Sequence, residues 1–260
     1  MSLTLVATLA VLGGIGGFAA GFLGVGGGVL LFPLLLYVPP LLWLESLDVK
    51  TVAALVISQV FFASLIGGTA HWRSGRVHSR LALIAALAAA AGSFMGGIAS
   101  KWVSEWFLLL LFGIVTLLAA AMMFLPGPSV ERELIPVERV VIPMALLALL
   151  SWTTGVVVGF LGAGNFLFVP LLIYVLKVPT RISIGSNLVI AVLSTFSGFL
   201  GKLLTGQIPL LMSLAVIIGA SVGALGGERS HSQVSPRVLR YVYAGVIGIV
   251  AVRIWITLLS

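Results

Sequence analysis

The sequence predicts an all-α polytopic membrane protein made of two inverted repeats. Each repeat is expected to open with a broken, re-entrant helix that is followed by three transmembrane helices. The 260 residues are 60% hydrophobic and only 8% charged, whereas soluble domains carry about 25% charged residues. Two further observations support this fold class: glycine clusters interrupt two overlong apolar segments, and the basic residues of the loops gather on one side of the predicted membrane.

Apolar segments of about 18 residues or more with few charges are typical of transmembrane helices. Two of the segments in this chain, 3–37 and 140–176, would be about 50 Å long as single helices, against a hydrocarbon core of about 30 Å. Each is therefore predicted to be a full helix followed by a short returning half-helix. The predicted segments are 3–37, 51–70, 81–99, 106–125, 140–176, 182–201, 208–227 and 238–258.

The two long segments repeat the same sequence pattern. GFLGVGGGVLLFP, which begins at Gly21, is matched by GFLGAGNFLFVP, which begins at Gly159. The prolines at the end of the two patterns, Pro33 and Pro170, are followed by LLLYV and LLIYV. Repetition in the same order indicates an internal duplication. The predicted units are an N-terminal transmembrane repeat (1–125), an inter-repeat loop (126–139) and a C-terminal transmembrane repeat (140–260).

Lysine and arginine positions predict the orientation, because cytoplasmic loops carry an excess of them. If both long segments crossed the membrane once, the alternate loops would hold 7 and 6 basic residues, with Arg253 near the C-terminal end. If both enter and return on one side, that side holds 10 of the 14, and the other holds only Lys50, Lys101, Lys202 and Arg253. The second arrangement predicts inverted repeats in the inner (plasma) membrane, with both termini outside the cytoplasm.

Broken membrane helices expose backbone groups that lipid does not satisfy, so such breaks occur where protein or a wet cavity covers them. In transporters with inverted repeats these breaks form the substrate site. A half-helix that starts at a break presents free N–H groups and the positive end of its dipole, and glycine lets an anion approach closely. The residues predicted to bind substrate are Gly24, Gly26, Gly27, Gly28, Ser58, Gln59, Gly162, Gly164, Asn165, Ser186 and Asn187.

The remaining polar residues exclude several functions. All seven acidic residues fall in loops or at helix ends, which disfavours cation transport and proton relays. The chain has no cysteine and no HExxH motif, so no metal, cofactor or enzymatic activity is expected. The net charge of +7 is explained by membrane topology and lipid headgroups rather than by nucleic acid. Lys202 is placed at a helix end, where it either snorkels to the interface or attracts an anion.

Glycine pairs outside the two clusters have a simpler interpretation. Small residues let membrane helices approach closely, so these pairs are predicted to pack helices rather than to bind a solute. They lie at 13–14, 16–17, 67–68, 96–97 and 226–227.

The paired patterns GFLGVGGGVLLFP and GFLGAGNFLFVP, each opening one half of an eight-segment chain of this length, resemble the sulfite exporter TauE/SafE family. This resemblance implies a membrane transporter of sulfite, organosulfonates or related sulfur or organic anions. The second pattern departs from the glycine triplet that is usual in the family, because Asn165 follows Gly164. The resemblance therefore makes Asn165 a candidate for tuning the choice of substrate.

Taken with the anion site, this resemblance implies a secondary transporter that holds a small sulfur-containing oxyanion between the two glycine-rich breaks. The residues by themselves indicate only a small anion. The alternatives are an anion channel, a transporter of another small organic anion, or a membrane receptor or scaffold that transports nothing. The expected partners are the anionic substrate and the lipid bilayer, with a homodimer possible and no nucleic acid.

Overall fold

In a computed structural model of the chain, the structure describes residues 2–23, 26–73, 79–123, 142–231 and 236–259. These residues form helices joined by short loops and contain no strand. Seven of the helices are long and apolar enough to cross a membrane, which confirms the all-α polytopic class. The helices are α1 (Leu3–Leu23), α2 (Gly28–Leu41), α3 (Val49–Arg73), α4 (Ser79–Ala99), α5 (Glu105–Met123), α6 (Met144–Leu161), α7 (Asn165–Pro170), α8 (Thr180–Leu204), α9 (Leu210–His231) and α10 (Pro236–Leu259).

Neither long apolar segment forms one continuous helix. In the first half α1 ends at Leu23 and α2 begins at Gly28; in the second half α6 ends at Leu161 and α7 begins at Asn165. From Pro170 the second half-helix continues as a π-helical turn, Leu171–Val175, which the sequence pattern did not predict. The inter-repeat loop 126–139 lies outside the described residues.

In the first half, α2 folds back along α1. A Cβ built on Gly27 would overlap the carbonyl oxygen of Gly16, and one built on Gly16 would lie 3.0 Å from the Cβ of Leu31. Residues that follow the break therefore lie beside residues two turns before the end of α1. Tyr37 fixes the far end of α2 against α10, because its hydroxyl is 2.7 Å from the Thr257 hydroxyl.

Helix α3 is the centre of the molecule. All nine residues from 52 to 60 are buried, and α3 contacts α1, α2, α6, α8 and α9. A membrane helix that is buried on every side faces other helices rather than lipid. Large apolar side chains are exposed instead on the outer helices, at positions such as Leu83, Leu117, Leu214 and Ile249, where lipid would cover them.

The first helix of each half packs on the fourth helix of the other half: α1 lies against α9, and α6 lies against α4. Both interfaces are built on small residues. A Cβ built on Gly17 would overlap the backbone of Ala220, and one built on Gly155 would overlap that of Ala89. The predicted packing role of the glycine pairs is confirmed at Gly13, Gly17, Gly96, Gly97 and Gly227, which all meet backbone atoms of a neighbouring helix; the contacts of the pair 67–68 lie outside the described part of the chain.

Three loops meet at one end of the molecule. The Lys50 ammonium donates to the carbonyl oxygen of Lys101 at 2.9 Å, and the Lys101 ammonium donates to that of Thr205 at 3.1 Å. The loops that follow α4 and α8 therefore lie on the same side, as they do if both long segments enter and return. A single crossing by each long segment would separate them. Trp43 and Trp102, 97% and 71% exposed, belong to the same end and suit a membrane–water interface.

We expect Gly219→Ala to destabilise the protein, because a Cβ at this position would overlap the carbonyl oxygen of Ala10 and force α1 and α9 apart. Overpacking of this kind typically costs about 1–3 kcal/mol. The matched control is Gly245→Ala, since a Cβ on that helical glycine meets nothing within 4 Å. Thermal unfolding in detergent should show a lower midpoint for Gly219→Ala alone, and equal midpoints would contradict the close packing of these helices.

Candidate functional site: two helix interruptions

Both interruptions contain a glycine in the same left-handed conformation. Gly27 precedes α2 with φ 70° and ψ −8°, and Gly162 ends α6 with φ 70° and ψ −11°. Residues other than glycine rarely adopt this conformation. Neither α2 nor α7 has a side-chain cap at its N-terminus, so their first N–H groups lack the partner that a capping side chain would supply.

The two interruptions meet inside the protein. A Cβ built on Gly28 would lie 3.0 Å from the Cβ of Ala163, so the start of α2 touches the break between α6 and α7. Helix α3 runs past both of them. Its residues Val56 and Val60 cover Gly28, and the backbone of Ile57 lies against Gly162. The structure therefore brings together the glycines that the sequence predicts at each break, except Gly24, which lies outside the described residues.

Protein atoms fill the Cβ side of these glycines. Added Cβ atoms would lie 2.7 Å from Val60 Cγ1 at Gly26 and 2.8 Å from Val158 N at Gly164. In this structure, these glycines therefore let neighbouring protein segments approach closely. An anion at the site would have to meet the N–H groups that start α2 and α7 from another direction.

Asn165 is the first residue of α7 and is buried, with 3% of its surface exposed. Its Oδ1 accepts a hydrogen bond from the Ser194 hydroxyl at 3.3 Å. Its amide nitrogen Nδ2 has no hydrogen-bond partner among the described residues. A buried amide donor without a partner is costly, and here it lies at the positive end of a half-helix.

Gln59 has the same property on the central helix. The side chain is completely buried, and neither its Oε1 nor its Nε2 has a partner within the described part of the chain. The neighbouring Ser58 differs, because its hydroxyl donates to the carbonyl oxygen of Ala54 in its own helix at 2.8 Å. Of the predicted pair Ser58 and Gln59, Gln59 is therefore the residue whose amide oxygen and nitrogen can still hydrogen-bond to a solute. Ser186 and Asn187 are completely buried on α8.

Two polar residues beside the interruptions were not among the sequence-based candidates. Ser64 lies on α3, with its hydroxyl 3.7 Å from a Cβ built on Gly26, and that hydroxyl has no partner among the described residues. Ser194 lies on α8 and binds Asn165. The sequence SGRV at 74–77 lines up with TGQI at 205–208, which sets Gly75 beside Gly206. In this alignment of the halves, Ser194 falls one position before the counterpart of Ser64. This near-match between the halves was the sequence signal that could have identified Ser64 and Ser194 as site residues.

The position of Lys202 also differs from the one expected if its side chain snorkelled to the interface. Its side chain is completely buried in the last turn of α8, instead of extending to the interface. The amino group donates to the Ser100 hydroxyl at 2.7 Å and to the carbonyl oxygen of Phe160 at 3.3 Å. Phe160 is two residues before Gly162, so Lys202 reaches the end of α6 beside the second interruption.

Apolar helices around a buried core, with two interruptions packed together inside it, define a multi-pass α-helical membrane protein. The chain belongs to the sulfite exporter TauE/SafE family, whose sequence profile matches residues 9–254. No solved structure matches the chain significantly.

Several curated proteins are similar to this chain. A "Probable membrane transporter protein" of Xylella fastidiosa (strain 9a5c) is 32% identical over 260 residues, which cover 95% of each chain. "Probable membrane transporter protein YdhB" of Bacillus subtilis (strain 168) is 24% identical over 234 residues, 86% of this chain and 89% of the relative. The family and these relatives place the chain among membrane transporters.

We expect Gln59→Met to raise the thermal stability of the substrate-free protein, because methionine removes two buried polar atoms that lack partners. The expected gain is about 1–3 kcal/mol, the cost of an unsatisfied buried polar group. Thr116→Val is the control, since the Thr116 hydroxyl is buried but already donates to the carbonyl oxygen of Phe112 at 2.8 Å. A lower unfolding midpoint for Gln59→Met would show that Gln59 is a structural residue and would contradict this expectation.

Proposed function

We propose that this protein is a secondary transporter of a small sulfur-containing oxyanion, sulfite or an organosulfonate, which binds between the two helix interruptions. The observation that carries the proposal is the contact between the break at Gly28 and the break at Ala163. Two half-helix N-termini without side-chain caps start from this contact. Each offers N–H groups and the positive end of a helix dipole, which favour an anion.

Neutral donors on α3 and α7, the helices that contact or form the interruptions, add to this preference. The Asn165 Nδ2 and the Gln59 Nε2 are buried donors without a partner in the described residues. An oxyanion with several acceptor oxygens would satisfy such donors, and neutral amides hold it less tightly than a buried arginine would. The sulfur chemistry of the substrate rests on the family name, since the residues themselves select for a small anion only.

The proposed mechanism is alternating access by rocking of two inverted repeats. Helix contacts that exchange between the halves, α1 with α9 and α6 with α4, support a two-fold relation between them. The contact between the loops of Lys101 and Thr205 supports an arrangement in which the second long segment enters and returns, and the packing of Gly27 and Leu31 against Gly16 supports a return of the first. With the positive-inside rule, this arrangement puts those loops and both termini outside the cytoplasm.

The orientation is tested by labelling single cysteines, because the chain contains none. We expect Ser46→Cys and Ser104→Cys, which are exposed at the outer loops, to react with a membrane-impermeant thiol reagent in intact cells. Ser79→Cys and Lys177→Cys, exposed at the opposite end of the helices, should react only after permeabilisation. Reaction of Ser104→Cys and Lys177→Cys from the same side would overturn the inverted-repeat arrangement.

Transport itself is tested with purified protein in proteoliposomes. Radiolabelled sulfite, thiosulfate, taurine, sulfoacetate and sulfate are compared, and empty liposomes give the background. We expect saturable flux for at least one sulfur oxyanion. Conductance above transporter rates would indicate the channel alternative, and absence of flux for every anion would favour the receptor or scaffold.

We expect Asn165→Asp to lower the transport efficiency for the preferred anion by at least tenfold, because a carboxylate replaces a donor and repels the substrate. Loss of one hydrogen bond to a charged group costs about 1.5–3 kcal/mol, and each 1.4 kcal/mol is about tenfold. Thr153→Ala is the control on the same half, since Thr153 is exposed on α6 and its hydroxyl bonds carbonyl oxygens of its own helix. Equal efficiency for Asn165→Asp and the control would remove Asn165 from the site.

A further inference from the structure

Lys202 is a buried basic residue that the proposed substrate site does not include. None of its surface is exposed, and within the described part of the chain no carboxylate pairs with it. Two acidic residues next to the start of α3 have other partners: a Glu105 carboxylate oxygen accepts from the Val49 amide at 3.1 Å, and Asp48 accepts from the Thr51 amide and hydroxyl. A buried ammonium without a counter-charge is strongly disfavoured.

The surroundings of Lys202 connect the outer loops to the second interruption. Its amino group contacts the Ser100 hydroxyl on the loop side and the Phe160 carbonyl oxygen at the end of α6. The Ser100 hydroxyl has acceptors in Gln207 Oε1 at 2.8 Å and the Gly97 carbonyl oxygen at 2.7 Å. Two of the three hydrogens that an ammonium carries are thus used, and one remains for a further acceptor.

Other positive charges lie at the same end of the molecule. Lys50 binds the carbonyl oxygen of Lys101, and Lys101 binds that of Thr205, three residues after Lys202. Clustered charges of one sign raise the local concentration of the opposite ion. An anion that enters between these loops would meet Lys202 before it reaches Ala163 and Asn165.

We propose that Lys202 and Ser100 form a separate anion-binding subsite, which a sulfite or sulfonate oxygen occupies on its way between the outer loops and the second interruption. The transported anion supplies the counter-charge that the protein does not. This inference rests on the proposed transport function, and it adds a basic residue, which can carry a positive charge when an anion is bound, to a pathway otherwise made of neutral donors.

The experiment compares Lys202→Met and Lys202→Gln with wild type in proteoliposomes that contain the preferred anion. Methionine removes the charge from a buried position without adding a polar atom, so this variant should fold. Glutamine also removes the charge but keeps an N–H donor for the Phe160 carbonyl oxygen. We expect both substitutions to raise the KM about tenfold or more, as on losing a charge-assisted hydrogen bond, while the unfolding midpoint stays equal or rises.

Arg253→Gln is the matched control, because it removes one positive charge at an exposed position on the same predicted outer side. Its KM should stay within about twofold of the wild-type value, since exposed charges are screened by salt. A wild-type KM in both Lys202 variants, or a raised KM for Arg253→Gln as large as theirs, would overturn the subsite. Flux by wild-type protein is the separate test of the transport proposal, so failure of that proposal is recognised independently.

Discussion

Backbone N–H and C=O groups inside a membrane have to find partners within the protein, and this requirement governs the arrangement of the whole molecule. Two helices end and restart at buried positions, next to Gly27 and next to Gly162. Such irregular backbone is tolerated only where other protein segments surround it. Helix α3, which is buried at every residue from 52 to 60, passes both breaks and covers them, while the outer helices present apolar side chains outward. The central position of α3 therefore follows from the need to shield the interruptions.

Small residues make that shielding possible. Glycines on α1, α4, α6 and α9 let backbone meet backbone at the two interfaces between the halves, and close approach of this kind is how membrane helices associate when burial of apolar surface gives no advantage. The same packing leaves few places for polar side chains. Three buried polar residues, Gln59 and Ser64 on the central helix and Asn165 at the second break, retain atoms without partners in the described residues. A solute that supplies acceptors or donors would gain from meeting them.

The groups that favour an anion differ between the interruptions and the neighbouring loop end of the molecule. The interruptions offer dipoles and neutral amides, whereas Lys202 brings a buried basic group from the loop end to the carbonyl oxygen of Phe160. The last carbonyl groups of a helix carry partial negative charge, so a basic side chain is suited to the end of α6, although burying its charge without a carboxylate costs free energy. Lys202 can serve both as a cap of the broken helix and as a contact for a passing anion, and these two roles act at the same place.

The sequence by itself determined the all-α membrane class, the positions of both interruptions and the family. Apolar length and glycine clusters are local signals, so the predicted segment 51–70 corresponds to Val49–Arg73 and the break after Gly21 corresponds to the gap between Leu23 and Gly28. Only the tertiary structure decided that Gly28 contacts Ala163 and that Lys202 is buried rather than extended to the interface. It also decided that the Ser58 hydroxyl donates to a carbonyl oxygen of its own helix. These features depend on which residues distant in sequence share a contact, and hydropathy and spacing along one chain do not specify such contacts.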